Sequence, residues 1–135
     1  MGARGPHDSF EVAKAVIEEG TAALARGDWE LVRKLADERV EHVTRDGVVP
    51  GPERLIAELA PQLERWLISF YLQEVIDGGD GALILLLEVE RRNRVTGEAA
   101  LKAWPAIVVR IHEGRVVFLE GYVNRAKALE ALGVS

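Results

Sequence analysis

With 135 residues, 48% of them hydrophobic and 29% charged, the chain has the size of one domain and enough apolar material for a core, which excludes a disordered polymer. A net charge of −5 supplies no basic surface for neutralising phosphates, so non-specific nucleic-acid binding is excluded as a class. The absence of cysteine removes disulfides, thiolate metal sites and cysteine nucleophiles.

The opening residues, Met1 to Asp8, contain Gly and Pro and no apolar run. They are expected to form a tail without a secretory signal, ahead of a single domain over residues 9–135. Asp8 or Ser9 can cap a helix in which Phe10, Ala13, Val16, Ile17, Ala23 and Leu24 recur at helical spacing. Gly27 and Asp28 end it, and Asp28 can cap a second short helix carrying Trp29, Leu31, Val32 and Leu35. Arg39 to Thr44 alternates as a short strand up to an Asp46-Gly47 turn. Pro52 suits the first turn of a third helix with Leu55, Ile56, Leu59, Leu63 and Trp66 on one stripe, and Pro61 is expected to kink or shorten it.

Leu67 to Ile76 reads as a strand closed by the turn Asp77-Gly78-Gly79-Asp80-Gly81, and Ala82 to Arg94 as the next. The run Ala82 to Leu87 is far too short to span a bilayer, so no membrane association is expected and the cytoplasm is the default location. Leu101 to Tyr122 then reads as two long strands around a tight turn at His112-Glu113-Gly114-Arg115. Asn124 can cap a last short helix, Ala126 to Leu132. Helices gathered before hairpin-connected strands predict an α+β fold with N-terminal helices on one face of a strongly curved sheet.

This order, with particular residues, resembles the nuclear transport factor 2-like superfamily, and within it the SnoaL-like (polyketide cyclase-like) proteins. The resemblance rests on Ala25-Arg26-Gly27-Asp28-Trp29-Glu30 at the helix break, Leu35-Ala36-Asp37-Glu38 entering a strand, and Pro50 to Ile56 entering the third helix. It continues through the hairpin turn His112 to Val117 and the closing Gly121-Tyr122-Val123-Asn124 with Ala126-Lys127-Ala128-Leu129. Such a resemblance implies a cystatin-like cone of mixed sheet with an apolar pocket inside. It implies a homodimer packed through the sheet's outer face, and no single activity.

Alternation sorts the strand residues within that frame. With Gly121 facing the pocket, the inward set is Val117, Leu119 and Gly121, then Ala103, Pro105, Ile107 and Val109, then Leu83, Leu85, Leu87 and Val89. The outward apolar set, Ile84, Leu86, Trp104, Ala106, Val108 and Phe118, predicts the dimer seam. Epoxide hydrolases of this fold carry an aspartate where Gly121 stands and an Arg-x-Asp pair where Leu87-Glu88-Val89 stands, so that chemistry is not expected. Ketosteroid isomerases of this fold place a base in a strand similar to Val40-Glu41-His42. His42 or Glu41 is therefore the candidate base, and alternation lets only one of them point inward. Tyr71 is the candidate hydrogen-bond donor. His7, His42 and His112 have no metal-ligand spacing, and no cofactor or metal is expected.

Two functional readings follow from these residues. One is a small hydrophobic molecule, up to polycyclic in size, held in the cone and turned over by cofactor-independent proton transfer: cyclisation, isomerisation or dehydration. The other is a non-catalytic ligand-binding or dimerisation module, favoured by an inner face almost free of polar groups.

Overall fold

Ser9 opens the first helix, its side chain accepting a hydrogen bond from the Val12 amide at 3.3 Å. The helix α1 (Phe10–Arg26) ends where Gly27 turns left-handed at φ 68°. Asp28 then caps α2 (Trp29–Leu35) by accepting from the Leu31 amide at 3.2 Å. The chain continues as β1 (Ala36–Thr44), β2 (Gly47–Pro50), α3 (Glu53–Arg65), β3 (Trp66–Gly79) and β4 (Ala82–Asn93). It closes with β5 (Ala99–Ala103), β6 (Ala106–His112), β7 (Arg115–Tyr122) and α4 (Arg125–Leu132). This computed structural model describes residues 9–79 and 81–133; the expected tail, Asp8 as a cap and Asp80 of the glycine-rich turn lie outside them.

One seven-stranded, curved sheet runs in the order β2-β1-β7-β6-β4-β3, with β5 paired to the far half of β4. It is mixed, because β1 lies parallel to β7 while the other pairs are antiparallel. The fold class is the expected α+β one, with some departures in its elements, among them Trp66, which opens β3 instead of extending the third helix. Asp46-Gly47 is followed by a further strand, β2, paired to β1, where only a turn and a break were expected. Pro61 does not end α3, since the helix continues to Arg65. The long first arm of the predicted hairpin is divided in two at Trp104-Pro105.

That division is small in space. Leu86 faces Ala106 and Val89 faces Ala103, so the register across the gap is continuous. Pro105 lacks an amide donor, yet its carbonyl still accepts from the Leu87 amide at 3.2 Å. The turn joining β6 and β7 places both Glu113 (φ 50°) and Gly114 (φ 77°) in the left-handed region, the geometry whose twist suits a two-residue hairpin.

The core has three parts. Ala13 and Ile17 of α1 pack on the sheet's inner face against Leu83, Leu85, Val109 and Ile111. Ala23, Val32 and Ile56 join α1, α2 and α3. On the opposite face α4 lays Ala128 on Ile84, Ala106 and Val108, with Phe118, Tyr122, Leu129 and Leu132 around them. The outer face expected to be a dimer seam is therefore largely covered by the chain's own last helix: Ile84 is fully buried and Val108 is 2% exposed. Of the outward set only Trp104 is well exposed, at 54%.

Candidate functional site

Between the inner face of the sheet and the helices lies a cavity of about 110 Å³. Its walls are almost entirely apolar. From α1 come Val16, Ile17, Gly20, Thr21 and Leu24; from α2, Val32 and Leu35; from β1, Ala36, Val40 and His42. Gly51 and Pro52 of the β2–α3 connection and Leu55 of α3 close another side, and Leu85, Val109, Val116 and Leu119 form the floor. Gly51 is needed by its backbone, with φ 91° and a position where a Cβ would stand 3.4 Å from the Glu38 carbonyl oxygen.

His42 is the ionisable residue on this wall. Its position follows from the pairing of β1 with β7, in which Glu41 faces Phe118 and His42 faces Leu119. Phe118 belongs to the layer under α4, whereas Leu119 packs against α1, so the imidazole turns inward and the exposed Glu41 carboxylate turns outward. Nδ1 of His42 is buried with no hydrogen-bond partner among the described residues. Burial holds the imidazole below the ordinary histidine pKa. The Glu58 carboxylate pushes it up, the Arg54 guanidinium pushes it down, and burial outweighs both. These two charges are spent on each other, for Arg54 reaches Glu58 at 2.6 Å and Asp46 at 2.9 Å.

The other candidates lie elsewhere. Tyr71 faces Glu88 on the outer face and is 50% exposed, away from the cavity. Of the expected pocket residues, Leu85, Val109 and Leu119 line the cavity. Leu83 and Ile107 lie on the same inner face under α1. Leu87, Val89, Ala103, Pro105 and Gly121 continue that face by alternation and are not on the cavity wall.

Val117 is displaced by one residue. The register of β6 with β7 shifts between Arg110 and Ile111, so Val116 and Leu119 both point inward and Val117 sits at the bulge. Another shift, in β3 between Leu72 and Glu74, turns Leu72 and Val75 inward together and leaves both Tyr71 and Glu74 facing out, although strict alternation would put residues three apart on opposite faces. Sequence reasoning missed the helical half of the wall. Helical spacing marks Val16, Ile17 and Leu24 as buried, but nothing local tells a cavity wall from a filled core. Among the described residues no group of three or more His, Asp or Glu could hold a metal ion, and no helix is long and apolar enough to cross a membrane.

No protein-family model and no curated protein matches the sequence. Solved structures do match. AclR from Streptomyces galilaeus superposes with a TM-score of 0.73 at 19% identity, over 93% of this chain and 87% of that one. An NTF2-like protein of unknown function from Burkholderia pseudomallei gives 0.67 at 18%, over 90% and 97%. An epoxide hydrolase from M. tuberculosis, of the LEH-like kind, gives 0.67 at 15%, over 90% of each chain. At these identities the likeness concerns the fold.

Proposed function

We propose that this chain, whose fold is that of the nuclear transport factor 2-like proteins, binds a small hydrophobic molecule in the cavity beside His42. One observation carries the reading: an apolar cavity walled by both sheet and helices with, among the described residues, a single ionisable side chain in its wall. Binding is favoured over catalysis because, among the described residues of the wall, no second ionisable side chain stands beside His42 to stabilise charge developing on a reacting ligand. The catalytic reading, a cofactor-independent isomerase, cyclase or dehydratase with His42 as base, draws support only from the depressed pKa that keeps the imidazole neutral. Epoxide hydrolysis has no carboxylate to work with among the described residues of this wall.

The test is methyl NMR of the protein titrated with benzene and cyclohexanone. Wild type is expected to show shifts at Leu85, Val109 and Leu119. Gly20→Leu is expected to lose them, because Gly20 is on the wall with only Leu35 Cδ1, at 3.9 Å, near its Cβ position. Leu is also the better helix former, so this variant keeps its stability. Methyls unmoved by either compound would mean a cavity that takes no ligand, and would end the reading.

A further inference from the structure

The ligand's size and polarity can be argued from the same wall, and this step rests on the binding reading above. An apolar cavity of about 150 Å³ is known to hold one benzene ring, so a volume of about 110 Å³ seats one ring or a short branched chain. A polycyclic skeleton would have to extend beyond the mouth of this space.

Among the described residues two polar side chains reach this wall, Thr21 on α1 and His42 on β1. The two imidazole nitrogens of His42 differ. Nδ1 is shut in without a partner, whereas Nε2 is not among the enclosed, unpartnered atoms of this wall residue. A neutral imidazole carries its one proton on either nitrogen, and leaving a buried N–H donor unpaired is rarer in proteins than leaving an acceptor unpaired. The proton therefore belongs on Nε2, where it can meet a partner, and the bare lone pair on the enclosed Nδ1.

Charge narrows the class further. A carboxylate in this cavity would have to leave water for a wall with no free cation among the described residues, since Arg54 is taken by Asp46 and Glu58. An ammonium group would meet an N–H donor and no free carboxylate. We propose that the resident ligand is an uncharged, single-ring-sized molecule whose carbonyl or ether oxygen accepts a hydrogen bond from His42 Nε2–H. His42 then acts as a polar anchor and not as a base, because its accessible nitrogen already holds the proton.

The experiment has two arms. Long-range ¹H–¹⁵N spectra of the free protein at neutral pH read the His42 tautomer directly. A protonated Nε2 is expected, and a protonated Nδ1 overturns the proposal without touching the binding reading. In the second arm cyclohexanone, cyclohexane, cyclohexanecarboxylate and cyclohexylammonium are titrated into wild type and His42→Phe, followed at the Leu85 and Val109 methyls. Cyclohexanone is expected to bind wild type about fivefold more tightly than cyclohexane, the worth of one hydrogen bond, with the charged pair weaker than both. His42→Phe is expected to erase that preference while still binding cyclohexane. Equal affinity of wild type for ketone and hydrocarbon, or preference for either ion, would overturn the inference with binding intact. Failure of all four compounds to bind would instead overturn the function proposed above.

Discussion

His42 shows how much one side chain depends on the strand beneath it. A half-buried imidazole with an enclosed Nδ1 is easier to keep neutral than to charge, and burial is the largest cause of its depressed pKa. The unfolded chain therefore binds the proton more readily than the folded one below the ordinary histidine pKa of about 6.5. The stability this group contributes is present above that value and is lost as the pH falls through the lower, folded value. Urea melts across pH values from about 8 to 5 are expected to show a loss on acidification that is smaller in His42→Phe. The groups facing His42 are Glu58, which opposes the shift, and Arg54, which adds to it. Parallel pH profiles for the two proteins would show that the imidazole's environment contributes nothing.

At the scale of elements, α4 decides what the outer face can do. Asn124 caps this helix by accepting from the Lys127 amide at 3.0 Å, and Gly133 ends it at φ 69°. Its interior face is narrow, with Ala128 wholly buried on Ile84, Ala106 and Val108. The small side chain permits close approach, since any longer group would hold the helix off the sheet. Ala128→Glu would bury an unpaired carboxylate there at a cost of about 3 kcal/mol. The expected result is a lowered denaturation midpoint with increased binding of a hydrophobic dye, as α4 detaches and bares the sheet. An unchanged midpoint would mean that the helix contributes little to the fold. Gly78 fits the same account, for a Cβ there would stand 2.9 Å from Leu132 Cδ1 of this helix.

For the whole molecule, the part of the outer face beyond α4 is mixed in character. Leu67, Tyr71 and Trp104 are exposed there among charged neighbours: the Trp104 indole donates to Glu88 at 3.1 Å, and Arg92 pairs with Glu90 at 2.6 Å. A homodimer through this face, which the fold resemblance implies and we propose, has to use these residues, since Ile84 and Val108 are already covered. Sedimentation at rising concentration is then expected to show a dimer, and Trp104→Glu a monomer. A wild-type mass that stays monomeric at every concentration would remove the proposal.

Much of this architecture was legible in the sequence because its causes are local. The caps at Ser9, Asp28 and Asn124, the αL glycines at the helix ends and the alternation of the strands depend on neighbours a few residues away. So do the element order and the α+β class. What the sequence left open depends on pairing between distant segments. An extra residue between Leu72 and Glu74 in β3 and another in β7 reverse the alternation beyond them, which put Glu74 on the same face as Tyr71 and exchanged Val117 for Val116 at the cavity. Only the parallel pairing of β1 with β7 chose His42 over Glu41, since either is a reasonable strand residue by itself. The size of the cavity and the covering of the outer face belong to the same group. Both are set by how closely helices approach a sheet whose partners lie dozens of residues away, and no local pattern encodes that distance.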